Sequence, residues 1–184
     1  MKVTPTELAG VLLIEPRVFQ DERGYFFESY HEQRYLSLGI PSRFVQDNQS
    51  HSKQGVLRGM HYQLGQPQAK LVQVLRGEVY DVAVDIRKGS PQFGRWVGVR
   101  LSGENKHQLY VPEGFAHGFY VLSETADVHY KCSDFYAQQE ERGIRWDDPA
   151  VGIQWPVGPR IVAARDAAFP LLRDPNQTLP GYRG

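Results

Sequence analysis

Arg58 and His61 fall in the run Val56-Leu57-Arg58-Gly59-Met60-His61-Tyr62-Gln63, and both carry side chains suited to chemistry. An imidazole exchanges protons near neutral pH. A guanidinium binds carboxylates and phosphates through paired hydrogen bonds. Upstream, Gln46-Asp47-Asn48-Gln49-Ser50-His51-Ser52 adds amides and hydroxyls. Strict strand alternation would set His61 and Gln63 with Leu57 on one face, and Arg58 with Val56 and Met60 on the other. Gly59 relaxes that rule, because a glycine inside a strand often marks a bulge or a close ligand approach. With a bulge there, Arg58 and His61 could face one cavity. Spacing alone favours the plainer alternative, a polar edge strand with a solvated Arg58 and a hydrogen-bonded His61.

The elements that must position these residues read as short strands. Val11-Leu12-Leu13-Ile14 lies between Gly10 and Pro16. Asp21-Glu22-Arg23-Gly24 is a turn between aromatic-rich segments. It reads either as a solvated hairpin tip or, with Arg23 flanked by aromatics, as a holder for a base and a phosphate. His31 to Leu38 is the best helix candidate, closed by Gly39 and Pro41. Leu71 to Leu75 turns at Arg76-Gly77 into Glu78 to Ile86, which sets Tyr80, Val82, Val84 and Ile86 on one face and Asp81, Ala83 and Asp85 on the other. Further turns separate Trp96 to Leu101 from Gln108 to Val111. A second distinctive stretch, Pro112-Glu113-Gly114-Phe115-Ala116-His117-Gly118-Phe119, starts another strand. After it, Ala126, Val128 and Tyr130 alternate with Asp127, His129 and Lys131. Many evenly spaced short strands without long helices predict an all-β sandwich or jelly roll. The segment from Asp147 onward reads as loops and short helices wrapped on it.

Composition narrows the function. The 184 residues are 41% hydrophobic and 12% aromatic, enough for one globular domain with a proper core. Lys+Arg 21 balance Asp+Glu 21, which argues against a nucleic-acid or membrane-surface binder. Cys132 is the single cysteine, so no intrachain disulfide forms, as expected in a reducing cytosol. Met1-Lys2-Val3-Thr4-Pro5 lacks the apolar core of a signal peptide. No apolar run approaches the roughly 20 residues of a membrane helix. A cytoplasmic protein is expected.

The two distinctive stretches resemble the metal motifs of the cupin superfamily, Gly-x5-His-x-His followed by Glu and Gly, then Pro-x-Gly-x2-His. Gly55-x5-His61 and Pro112-x-Gly114-x2-His117 match. Gln63 replaces the second His, and Lys70 stands in the Glu position. Two imidazoles are fewer than the three or four ligands a transition metal needs, and an ammonium repels a cation. No metal is expected. What remains is a cavity holding Arg58, His61, Lys70, His117 and Tyr130. There a His can act as base, a Lys can stabilise an oxyanion and a Tyr can donate a proton. That set suits abstraction of a proton beside a carbonyl. For Tyr130 taken alone, core packing is the simpler reading.

More closely, the chain resembles the dTDP-4-dehydrorhamnose 3,5-epimerase family of metal-free cupins. The resemblance rests on Phe19-x-Asp21-x-Arg23-Gly24-x-Phe26-x-Glu28, Gln46-Asp47-Asn48, Arg58-Gly59-x-His61-Tyr62-Gln63, Asp85-x-Arg87, Gly114 to Phe119, Tyr130-Lys131 and Trp146-x-Asp148-Pro149. It implies a cupin-type jelly-roll barrel with a few short peripheral helices, a single domain over residues 1–184. It also implies inversion of dTDP-4-dehydro-6-deoxy-D-glucose at C3 and C5 without a cofactor, in dTDP-rhamnose biosynthesis. Related enzymes of natural-product pathways share the motifs and invert one carbon, which is the alternative activity. By the resemblance, His61 is the base, oriented by Asp166, Tyr130 the acid on the opposite sugar face, and Lys70 the enolate stabiliser. Arg23 and Arg58 bind the pyrophosphate, Tyr136 stacks on thymine, and Glu28, Gln46, Asp47, Asn48, His117 and Glu141 complete the contacts. Arg165 stands where the family carries Lys. The family's homodimers exchange an N-terminal strand, so Arg23 is expected in the partner's site. Two other classes compete. A metal-dependent cupin is disfavoured by Gln63 and Lys70. A non-catalytic sugar-sensing cupin has no use for His61, Lys70, Tyr130 and Asp166 together. No Gly-x-Gly-x-x-Gly nucleotide fingerprint is present.

Overall fold

A computed structural model describes residues 1–40 and 43–182. In chain order the elements are β1 (Lys2–Pro5), β2 (Leu12–Glu15), β3 (Val18–Asp21), β4 (Gly24–Phe27) and α1 (Glu32–Ser37). Then follow β5 (Gln46–Lys53), β6 (Val56–Gln63), β7 (Lys70–Arg76), β8 (Glu78–Asp85) and β9 (Trp96–Ser102). The rest are β10 (Gln108–Val111), β11 (Phe115–Val121), β12 (Thr125–Cys132), β13 (Glu141–Gly143), β14 (Ile161–Val162) and α2 (Ala164–Ala167). The expected helix forms. His31 caps it by accepting from the Arg34 amide, and Gly39, at φ +85°, lets the chain leave. Pro41, expected to stop it, lies outside the described residues.

The strands build two facing sheets, as expected for an all-β jelly roll. One runs β1-β2-β10-β7-β12-β5; the other runs β13-β6-β11-β8-β9, with β14 pairing parallel to β6. Their alternating apolar residues meet in a shared core that includes Val72, Val74, Val79, Leu109, Phe119 and Val128. Fully burying one such Val or Phe is worth about 1.5–3 kcal/mol. The outer face of β8 is buried as well. Val82, Val84 and Ile86 pack there with Ile144, Val151 and Leu172 from the C-terminal wrap. That second apolar layer covers the face of β8 that carries Tyr80, Val82 and Val84.

Strand β5 forms one edge, and its burial alternates. Gln46, Asn48 and Ser50 turn toward the space between the sheets, where they line a cavity. Beyond the sheets, β3 and β4 form a separate hairpin with exposed Phe19, Tyr25 and Phe26. No helix of the described residues is long and apolar enough to cross a membrane.

Candidate active site

The irregularity expected at Gly59 is present. Along β11 the register advances from His117 to Phe119 while β6 retreats from His61 to Arg58, so β6 carries one extra residue. Gly59 sits there at φ +129°, where a Cβ would lie 2.6 Å from the Gly118 Cα. Only glycine permits that approach. The extra residue cancels the alternation, and Arg58 and His61 line the same cavity of about 390 Å³.

Around that cavity the fold gathers most of the expected residues. His61 and His117 come from β6 and β11, where they are directly paired. Lys70 and Tyr130 come from the facing sheet, on β7 and β12. Gln46, Asn48, Tyr136, Glu141 and Arg165 close the rim. Asp166 lies behind the imidazole: His61 Nε2 is 2.9 Å from its Oδ1, and its Oδ2 accepts the Gly59 amide at 3.1 Å. Burial pushes the Asp166 carboxyl up. The hydrogen bond and charge of His61, the Gly59 amide and Arg165 together outweigh it, so the group lies below the usual carboxylate range. Phe169 meets the His61 ring edge-on at 5.7 Å between centroids, and fixes its other side.

Lys70 is only 9% exposed, and no hydrogen-bond acceptor among the described residues takes its ammonium. Burial lowers its pKa, against the opposing pull of Cys132, Glu141 and Asp81. Such a group is poised to meet negative charge that develops in the cavity. Tyr130 has its phenol pushed up, first by burial and then by neighbouring acidic groups, so it stays a proton donor through neutral pH. At the rim, Tyr136 donates to Glu141 Oε2 at 2.8 Å, and Arg165 Nη1 donates to the same oxygen at 2.8 Å. Arg165 Nε reaches Asp166 Oδ1 at 3.3 Å. One chain of contacts thus runs from the rim aromatic to the imidazole.

Three expected residues do not join the cavity. Asp47 is one: strict alternation on the regular strand β5 turns it outward, where it pairs with Lys131 at 2.9 Å. Arg23 is another: it lies at the hairpin tip, its side chain 85% exposed and paired with Asp21 at 2.6 Å. Glu28 pairs with Arg34 at 2.9 Å near the same hairpin. Sequence reasoning missed Asp81. It is fully buried and holds His117 Nε2 with both oxygens, at 2.9 and 3.0 Å. Alternation alone sets Asp81 opposite the apolar face of β8; only the second apolar layer shows that the Asp81 side is the inter-sheet one, where a carboxylate must find a partner.

The cupin ligand positions do not fit a metal ion. Both imidazole Nε2 atoms are held by carboxylates, and the Gln63 amide is taken up by backbone groups. An ammonium stands in the fourth position. Among the described residues no group of three or more His, Cys, Asp or Glu is placed to hold a metal.

Fold and site together define a cupin-type jelly roll whose cavity is equipped for proton transfer rather than metal ligation. The dTDP-4-dehydrorhamnose 3,5-epimerase family profile matches residues 5–174. The chain is 56% identical over 176 residues to the dTDP-4-dehydrorhamnose 3,5-epimerase of Salmonella typhimurium, covering 94% of this chain and 96% of that one. It is 57% identical over 158 residues to the enzyme of the same name from Pseudomonas aeruginosa, covering 85% and 87%. The crystal structure of a dTDP-6-deoxy-D-glucose-3,5-epimerase from Legionella pneumophila in complex with dTDP-4-keto-L-rhamnose superposes with a TM-score of 0.96. That protein is 53% identical, with 100% and 99% of the two chains covered. The chain belongs to the dTDP-4-dehydrorhamnose 3,5-epimerase family.

Proposed function

We propose that this enzyme inverts C3 and C5 of dTDP-4-dehydro-6-deoxy-D-glucose to give dTDP-4-dehydro-L-rhamnose, in dTDP-rhamnose biosynthesis. The observation that carries the reading is the placement of His61, backed by Asp166, on one sheet with Lys70 and Tyr130 on the facing sheet. The C4 ketone acidifies the C–H bonds at C3 and C5. His61 removes the proton, the C–H electron pair moves into the ring, and the C4 oxygen becomes an enolate beside the Lys70 ammonium. Tyr130 then returns a proton to the opposite face, which inverts the carbon. The keto-sugar is its own electron sink, so no cofactor or metal takes part.

Arg58 at the cavity mouth binds the pyrophosphate, and Tyr136 stacks on thymine. Gln46, Asn48, His117, Glu141 and Arg165 hold the remaining polar groups. In this reading the whole chain works as one domain in a cytoplasmic homodimer. The exposed Phe19, Tyr25 and Phe26 of the β3–β4 hairpin support the dimer, because such aromatics are ordinarily covered. The partner then receives Arg23 and Glu28 into its site. With its charges balanced, the protein binds neither nucleic acid nor membrane.

The test is incubation with the keto-sugar in deuterated water, followed by NMR. Label at both C3 and C5 of an inverted product is expected. Label and inversion at one carbon would make it a single-site epimerase, and no label would overturn the reading.

A further inference from the structure

Gln63 ends β6 on the cavity wall, yet its side chain makes no use of the cavity. It is 7% exposed, and its amide is saturated by backbone. Oε1 accepts the Ala137 amide at 2.8 Å. Nε2 donates to the Phe135 carbonyl at 3.2 Å and to the Gln66 carbonyl at 2.7 Å. Phe135 and Ala137 flank Tyr136. Tyr136 is itself half exposed; its amide donates to Gln46 Oε1 at 2.9 Å and its hydroxyl to Glu141 Oε2 at 2.8 Å. A rim aromatic on a loop stacks well only if the backbone beneath it is fixed, since each freely rotating unit must otherwise be ordered on binding.

We propose that Gln63 is a positioning residue for nucleobase recognition: by clamping the backbone on both sides of Tyr136 it presets the ring for stacking on a pyrimidine. The inference deepens the proposed function and rests on its assignment of Tyr136 to the base. It also accounts for an amide in a place where metal-binding cupins use an imidazole. Gln reaches across the strand end with one acceptor and two donor hydrogens, matching the N–H and two carbonyls it meets. A His there could satisfy at most two of the three.

The experiment is a double-mutant cycle between Gln63→Leu and Tyr136→Ala, read by dTDP affinity and by kcat and KM for the keto-sugar. Tyr136→Ala is expected to weaken dTDP about tenfold, from the stacking it removes. Gln63→Leu should weaken dTDP and raise KM by a similar factor while kcat falls less than about threefold. Added to Tyr136→Ala, Gln63→Leu should cost less than about twofold more. If Tyr136→Ala leaves dTDP affinity unchanged, the assignment of the base to Tyr136 fails and the inference falls with it. If Tyr136→Ala weakens binding but Gln63→Leu does not, or its loss persists without the ring, the inference alone is overturned. A measurement on the unaltered enzyme holds even if Gln63→Leu does not fold. The Ala137 amide should exchange with deuterated solvent far more slowly than an open loop amide, and exchange at loop rates overturns the clamp.

Discussion

His61 Nε2 and Asp166 Oδ1 are 2.9 Å apart across 105 positions of sequence, joining the middle of a sheet to a four-residue helix near the end of the chain. In the proposed reaction the carboxylate would fix the ring orientation and stabilise the imidazolium formed when the ring takes a proton. His61→Asn should therefore abolish solvent exchange at both C3 and C5. Asp166→Asn should lower turnover by roughly 10–100-fold with binding largely kept. Deuterium uptake by NMR distinguishes the two, and near-normal exchange in His61→Asn would place the base elsewhere.

Tyr130 faces His61 from the opposite sheet, and inversion needs a donor on the opposite face of the sugar. A lone base can remove a proton and return it to the same face, exchanging hydrogen without inverting carbon. Tyr130→Phe should still wash deuterium into the keto-sugar while inverted product falls by roughly 10²–10⁴-fold. Normal inversion would remove Tyr130 from the reaction.

Lys70 is held buried at a cost to the fold. Its folded-state pKa is lowered below 10.5, chiefly by burial, so the folded chain binds fewer protons than the unfolded one between the two values. Stability then rises with pH across the window that ends at the ordinary lysine value, and below it the full penalty is present. Lys70→Met should accordingly raise the melting temperature at neutral pH, by about 2–4 °C for each kcal/mol recovered. Turnover should collapse with little change in nucleotide affinity, because in the proposed reaction the charge that Lys70 would meet exists only after proton loss. A variant with normal kcat and a raised KM would make Lys70 an anchor instead.

Arg23 lies outside the cavity of its own chain, so its contribution is expected in trans. Arg23→Ala and His61→Asn homodimers should each be impaired. Mixed dimers should regain about one working site, since the Arg23→Ala subunit keeps its base and receives Arg23 from its partner. Absence of recovery in subunit-exchanged samples would place Arg23 in cis or outside the reaction.

Elemental analysis should find no stoichiometric metal, and EDTA should leave the rate unchanged, because the ligand positions are occupied by an amide and an ammonium. One tightly held ion per chain, with activity lost on chelation, would reverse that expectation.

Much of this was legible in the chain itself. Short runs between glycines and prolines announced the strands, since turn chemistry and alternation are local properties. The helix near residue 35 followed from its apolar positions Tyr35, Leu36 and Leu38 and its closing Gly39. The departures from the cupin ligand pattern, Gln63 and Lys70, were readable as a change of chemistry because they alter charge and donor set wherever the chain places them. The bulge at Gly59 was one of two readings of a glycine inside a polar strand, and spacing alone did not favour it.

What tertiary structure alone decided is which of the polar residues meet. Alternation separates Asp47 from its neighbours Gln46 and Asn48, but only the placement of β5 on the sheet edge decides that the Gln46 and Asn48 face, not the Asp47 face, turns to the cavity. His117 looked like a cavity residue free to bind, but a carboxylate on the next strand holds it. Gln63 reads in sequence as a lost metal ligand, but in the fold the backbone on either side of Tyr136 hangs from its amide. Pairings across tens of residues depend on register and sheet order, which no local window of sequence encodes. Chemistry is a property of residue types and is written in the chain; the encounter of those types is a property of the closed sandwich.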